Sequence, residues 1–459
     1  MNFIYGAIIV IFTLFITALI ARKVFKKQTM LYLFILLKTK GLKKTIQKIS
    51  KHKFWDRLTN FGIVAGFGAF GVDYLIKKKF NKSKRILIFL LSSILFYVVY
   101  YIFLGNMLLN NPIISNIGAH IIIIFCAILG LSGFTLGGLF VFSMDIIVKM
   151  FAGSTPCPGV GVVLPGIKVP KNPLFFPWYC WIILIISGFV HELAHGAMLF
   201  RYKMKIKSVG VILAGIFPLG AFVEPDEKEM KKTDEKKLMK MYSAGPTSNI
   251  ILAILFGIIL LLISAPITNY TNKIDQNIET GLQIIAVDQN TNICGTIYDN
   301  PAHEKLKIND QIIRINGQDV KNRVDFTNSL HSDKENVFVV KNTDTNITRT
   351  EIIPKTNELG RIGVTVSATI DKDYVIPKRY SFYKTFKEIM FWSFLLNFVI
   401  ASTNFLPSIP FDGGYMSQNI FSDYLNKKNN KQKRMKKIAK FFGSVILLLI
   451  LINILPYFL

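Results

Sequence analysis

His191, Glu192 and His195 stand in the run His191-Glu192-Leu193-Ala194-His195. On a helix, residues i and i+4 lie one above the other on a single face, so both imidazoles can reach one Zn²⁺ at about 2.0–2.1 Å. Glu192 falls beside that metal without having to ligate it. A carboxylate so placed can take a proton from water whose pKa the metal lowers from 15.7 towards about 7. With 6 His and 11 Glu in 459 residues, chance alone would produce the pattern about 0.002 times in a chain of this length, so it reads as a site. The bland alternative is two histidines satisfied within a helix bundle.

Zinc needs at least one more protein ligand. The extended form H-E-x-x-H-x-x-G-x-x-H is excluded, because Met198 and Arg201 occupy its Gly and His positions. Glu224 would serve a soluble thermolysin-like arrangement, but it sits in Val223-Glu224-Pro225, where proline argues against a helix. Asp412 is the better third ligand. It is the first acidic residue after Glu388 and closes the uncharged stretch 389–411, in Asn404-Phe405-Leu406-Pro407-Ser408-Ile409-Pro410-Phe411-Asp412-Gly413-Gly414. Its local alternative is an N-cap or Asx-turn before the two glycines.

The elements that must position these residues are membrane helices. The chain is 51% hydrophobic and only 18% charged, and its apolar residues gather in eight long runs, each near the ~20 residues that cross a bilayer core. These are Phe3 to Ala21, Phe61 to Ile76, Ile86 to Leu104, Ala119 to Ser143, Pro177 to Phe200, Pro246 to Ile267, Ile389 to Ser408 and Phe441 to Leu459. The first reads as a retained anchor with its N-terminus outside. The net charge of +27 would suggest nucleic acid in a soluble chain, but here the basic residues crowd loops beside apolar runs, so no nucleic-acid partner is expected. If Phe61 to Ile76 crosses, 77–85 and 144–176 place basic residues outside; if it does not, the richer 201–245 and 427–440 lie outside instead. The positive-inside rule favours crossing, with 77–85 left as an exception. The spans from 177 and from 389 then both run inwards and bring His191, His195 and Asp412 to the cytoplasmic side. Of the cysteines at 126, 157, 180 and 294, only Cys157 and Cys180 are expected to be able to pair.

Residues 278–370 break the membrane pattern with short alternating runs, Gln283 to Val287, Gln311 to Ile315, Val337 to Val340 and Arg361 to Val366, between Asn, Asp and Gly turns. The stretch Leu306 to Val320, with Asn309-Asp310-Gln311-Ile312 and Ile315-Asn316-Gly317, resembles the core of PDZ domains, which bind extended peptide ends by strand addition. Any other small β domain with a turn at Asn316-Gly317 is the alternative. The run Val209 to Val223 is apolar but too short to span, and its Gly and Pro residues disfavour a helix. It reads as a re-entrant β hairpin, or as a loop covering the bundle.

Together these motifs resemble the site-2 protease family of intramembrane zinc metalloproteases, in its archaeal and eukaryotic-like branch. The likeness covers most of 150–420 and includes Val163-Leu164-Pro165-Gly166, the His191 run, Gly215 to Glu224, Ala244-Gly245-Pro246-Thr247-Ser248-Asn249 and Asn404 to Gly414. It implies a polytopic all-α membrane protein of about eight transmembrane helices with a re-entrant β hairpin and an inserted PDZ-like domain. Residues 1–150 would form an N-terminal transmembrane region, 151–267 and 385–459 the two halves of the catalytic core, and 278–370 the PDZ-like domain. One Zn²⁺ per chain would be held by His191, His195 and Asp412, with Glu192 as general base. Asn404 would bind substrate backbone, and Asn249, Gly215 and Pro218 fall in the substrate-contacting motifs, structural capping being an equal alternative for Asn249. Phe411 stands where the family often has Leu.

The function implied is cleavage of a single-span membrane protein within its bilayer segment by an integral protein of the cell membrane, with the outward PDZ-like domain as a filter that admits substrates whose external part has already been shortened. A CAAX-type prenyl protease would need a downstream helical Glu ligand. A divalent-metal transporter would not require Glu192, and a catalytically silent PDZ-containing scaffold is the remaining alternative.

Overall fold

The computed structural model describes residues 12, 16–17, 29–31, 34–38, 40–109, 114–161, 163–169, 174–214, 217–425 and 430–459. Their helices are α1 (Lys40–Ile49), α2 (Phe54–Ile76), α3 (Lys82–Leu109), α4 (Asn116–Phe151), α5 (Cys180–Arg201), α6 (Glu227–Lys232), α7 (Glu235–Ile278), α8 (Arg323–Ser329), α9 (Lys378–Asn404), α10 (Asp412–Phe421) and α11 (Lys431–Ile454). Seven of them, α2, α3, α4, α5, α7, α9 and α11, are long and apolar enough to cross a membrane. They coincide with seven of the eight apolar runs expected to span, and of the eighth, Phe3 to Ala21, only residues 12, 16 and 17 are among the described residues. The outer faces of these helices are apolar: on α3, Ile102 and Phe103 are 67% and 77% exposed, which suits lipid and not water.

Two of the seven are not straight rods. Gly68 in α2 has φ 51° and ψ −130°, and Gly130 in α4 has φ 60° and ψ −142°, conformations that residues with a side chain rarely adopt. At each the chain turns back on itself. A Cβ on Gly71 would lie 2.3 Å from the Ile63 carbonyl oxygen, and one on Gly133 would lie 1.9 Å from that of Phe125. Eight residues along an unbroken helix are about 12 Å apart. Gly118 likewise meets Val141 across the α4 legs. The two turns pack against each other, because a Cβ on Gly68 would meet the Gly130 nitrogen at 2.7 Å and one on Gly130 would meet the Ala65 oxygen at 2.2 Å. The legs of α2, 54–67 and 69–76, are about 21 and 12 Å long, each short of a ~30 Å core. The expectation that Phe61 to Ile76 and Ala119 to Ser143 each run once through the bundle is therefore corrected: isolated glycines in an apolar run look like ordinary helix residues until their neighbours force the reversal.

The run read as a hairpin is one: β3 (Ile206–Ala214) pairs antiparallel with β4 (Phe217–Pro225). It does not stand alone. β1 (Thr29–Leu31) and β2 (Phe34–Lys38) extend it to a four-stranded sheet in the order β1-β2-β3-β4, so β2 covers the outer edge of β3 from Phe34↔Ala214 to Lys38↔Gly210. β4 is the edge strand on the other side.

By packing, the chain forms two compact units: 1–145 with 158–256 and 392–458, and 146–157 with 257–391. The second contains a six-stranded sheet of β5 (Glu279–Val287), β8 (Asp310–Ile315), β9 (Gln318–Asp319), β10 (Asn336–Asn342), β11 (Thr348–Ile353) and β12 (Val364–Ile370), with the small hairpin β6 (Asn290–Ile293) and β7 (Thr296–Asp299). Leu282, Ile284, Ile312, Ile315, Phe338 and Val340 lie in its core, alternate on β5 and β10 and three apart on β8, where the register with β10 shifts. Asn316 and Gly317 both take positive φ, 52° and 82°, as a two-residue hairpin turn between β8 and β9 requires. Cys157 is bonded to Cys294 within this unit, while Cys180 is buried and free. The reading that only Cys180 could pair with Cys157 is corrected: the partner is Cys294, 137 residues away, a separation that no local signal encodes.

Asp310 is a fully buried charge of this domain. Burial pushes its pKa up, but the Arg349 guanidinium, the Lys307 N–H and the Asn342 amide together hold it below the usual carboxylate range. Its folded pKa is depressed, so its contribution is present above the unfolded value of about 3.9 and is lost as pH falls through the folded value. Asp310→Asn should cost about 3 kcal/mol, the lower end for a broken buried pair. Hydrogen exchange on the full protein should show protection of the β8 and β10 amides reduced about 100-fold at pH 7, with the gap to wild type closing below about pH 4.

Candidate metal and catalytic site

α5 carries His191, Glu192 and His195 within little more than one turn. Its two histidines are buried. Asp412 is the first residue of α10, whose N-cap position is Phe411. Its side chain faces the histidines: Oδ2 lies 3.2 Å from Nε2 of His191 and 3.2 Å from Nε2 of His195, and the two Nε2 atoms are 3.1 Å apart. Ligands about 2.05 Å from a tetrahedral zinc stand about 3.3 Å apart, so this triangle has the edge length of one face of a zinc tetrahedron. Among the described residues these three are a group whose ligand atoms lie close enough together to hold a metal ion.

The hydrogen bonds behind the triangle decide what its atoms are. His191 Nδ1–H donates to Asn249 Oδ1 at 2.7 Å, and His195 Nδ1–H donates to the Met241 carbonyl at 2.8 Å. In the neutral rings both Nε2 atoms then carry lone pairs, and they converge with a carboxylate oxygen. Three acceptors within 3.2 Å of one another and no proton among them are mutually repulsive, and a cation between them reverses the sign. The partners on Nδ1 are those that metal-bound histidines ordinarily have. Gly245 of α7 completes the fit, because a Cβ there would lie 2.3 Å from Nε2 of His195 and 2.5 Å from Nε2 of His191. The residues therefore suit a zinc-sized ion.

Glu192 is outside the triangle. Its Oε2 accepts the Val223 N–H of β4 at 3.2 Å, which ties the carboxylate to the sheet edge. Glu224 is exposed, accepts from Ser208 Oγ at 2.6 Å and pairs with Lys207, away from the histidines. Asn404, half buried at the end of α9, donates from Nδ2 to the Ile400 carbonyl at 2.9 Å. Asn249 is fully buried and faces His191. Gly215 lies outside the described residues. Pro218 is a residue of β4, paired with Leu213, and its side chain lies outside the described set. Gly245, Met241 and Val223 are contributors that the motif reading did not single out. Gly245 beside Pro246 in an apolar helix was the visible signal, whereas backbone groups leave none.

An apolar helix bundle with a buried His–His–carboxylate triangle defines a polytopic membrane protein built around a metal-type site. The family model of peptidase family M50 matches residues 179–450, and the chain belongs to this family, the site-2 protease family. An uncharacterized protein of Methanocaldococcus jannaschii is 30% identical over 298 residues, 63% of this chain and 68% of that relative. Membership makes the chain a membrane metallopeptidase.

Proposed function

We propose that this protein is an intramembrane zinc endopeptidase that cuts a single-span membrane protein within its bilayer segment. The observation that carries the reading is the convergence of two Nε2 lone pairs and one carboxylate oxygen beside Glu192, in helices with lipid-suited outer faces. A zinc ion held by His191, His195 and Asp412 would supply Lewis acidity, polarising the scissile carbonyl and acidifying adjacent water. Glu192, free of the ligand set, takes the proton from the attacking water and returns it to the leaving amine. The Val223 N–H holds the carboxylate in place while it does so. Asn404 is assigned to substrate backbone at the end of α9, and Asn249 to orienting His191.

A helical substrate hides its carbonyls in its own hydrogen bonds, so cleavage requires local unwinding and a replacement partner. With β2 covering β3, the partner is the β4 edge. Val223 turns its N–H towards Glu192, and Ala221, two residues along, turns its N–H the same way. Ala221→Pro should lower turnover at least tenfold with metal content unchanged. A proline at Val211 or Leu213 of β3 should instead disturb the sheet itself. Tolerance at Ala221, with the protein folded, would show that substrate unwinding is handled elsewhere.

In the orientation that fits best, α2 enters from the cytoplasmic side and returns, α3 crosses outwards, and α4 enters from outside and returns. The two reversals cancel, so α5 still runs inwards and the β-rich domain lies outside, where the Cys157–Cys294 bond is chemically at home. The six basic residues of 77–85 become cytoplasmic, which removes the exception in the charge count. A cysteine placed at Lys79 in intact cells should resist an impermeant thiol reagent, whereas one at Lys334 should react; the reverse would overturn this orientation. The outward domain then acts as a PDZ-like filter for extended peptide ends.

The decisive experiment is cleavage of a panel of single-span reporters by purified protein with and without a zinc chelator. Chelator-sensitive cuts inside the span are expected. Zinc flux into liposomes without any cut would favour a transporter.

A further inference from the structure

Asn397 of α9 has no role in the site described so far. It is 1% exposed in the middle of the bundle and lies seven residues, two helical turns, before Asn404. Its Nδ2 donates to the Ser393 carbonyl at 2.8 Å. A backbone carbonyl can only accept, so the amide is turned with its oxygen outwards. That Oδ1 accepts from Nδ2 of Asn249 at 3.0 Å, and the same Nδ2 also donates to the Ser187 carbonyl at 3.2 Å. Both protons of the Asn249 amide are thereby engaged. Only its Oδ1 is left for His191, and His191 must present Nδ1–H to it.

We infer that Asn397 is a positioning residue for the metal site, setting through Asn249 the direction of the hydrogen bond that keeps His191 with its Nε2 lone pair towards Asp412. The inference rests on the zinc reading above. Every member of the chain is buried, so water cannot replace a missing partner. Removing the Asn397 oxygen leaves one N–H of Asn249 without an acceptor. The amide is then less firmly held, and it can swing its NH₂ end towards His191, where two donors would face each other. No charge is involved: the relay runs on amide polarity, from the Ser393 carbonyl to Asn397, to Asn249 and to His191. Outer partners of metal-bound histidines typically change metal affinity 10–100-fold when lost, and Asn397 is one partner further out.

The test is a double-mutant cycle read as zinc affinity by competition with a chromophoric chelator, using the full-length protein in detergent and zinc alone as the probe. Asn397→Leu should weaken zinc binding about tenfold. Asn249→Ala should weaken it 10–100-fold. In the Asn249→Ala background, Asn397→Leu should change affinity less than twofold, because the path to His191 is already cut. Should the leucine variant fail to fold, Asn397→Ser carries the same expectation, since its hydroxyl keeps a bond to the Ser393 carbonyl but is too short to reach Asn249. Equal losses in both backgrounds would make Asn397 a packing residue and overturn the inference, as would unchanged affinity in the single variant. A wild-type protein that binds no zinc would instead sink the reading of the site as a zinc centre.

Discussion

Glu192→Gln is expected to abolish peptide cleavage while the purified protein still carries about one zinc per chain. The amide keeps the size of the side chain and can still stand beside Val223, but it cannot take a proton. A positioned acid–base group contributes about 10²–10⁴-fold to rate, and here the same group serves both proton transfers, so turnover should fall by at least that factor. Metal content by elemental analysis and cleavage of a single-span reporter are the two measurements. Loss of zinc with the glutamine would move Glu192 into the ligand set and undo the assignment. Asp412→Ala should behave oppositely, losing metal and activity together.

Gly245→Ala should be as damaging by a different route. The added methyl would sit 2.3 and 2.5 Å from the two Nε2 atoms, far inside van der Waals contact and in the space a metal would share. One methyl is therefore expected to reduce zinc occupancy to near zero and cleavage with it. Gly188, on α5 one turn before the first histidine, is the control: a Cβ there has open space. Gly188→Ala should keep the metal, and helix propensity alone would stabilise it by about 0.5–1 kcal/mol. Full zinc binding by Gly245→Ala would mean that α7 stands further from the histidines than the geometry above requires.

Much of the site was legible in the residues alone because its signals are local. The spacing of His191 and His195 places both rings on one helix face whatever surrounds that helix. Asp412 stood out as the acidic residue that ends a long uncharged stretch. The β-rich domain was legible from its alternation and from Asn316-Gly317, a turn whose positive φ values suit those two residue types. The hairpin of β3 and β4 was legible from a run too apolar for a loop and too broken for a helix.

The sequence by itself determined the chemistry: a helix-borne His–Glu–His unit, a downstream carboxylate, apolar runs of bilayer length and a β domain between two of them. These depend on distances along the chain, which sequence states directly. The tertiary structure alone decided the rest. It folded α2 and α4 back at Gly68 and Gly130, where the two backbones meet; it laid β2 on the edge of β3; it joined Cys157 to Cys294; and it set Gly245, Asn249 and Asn397 behind the histidines. Each of these is a contact between residues tens to hundreds of positions apart. Such contacts depend on which side chains or bare backbones fit together in a packed interior, and no spacing along one segment encodes that fit.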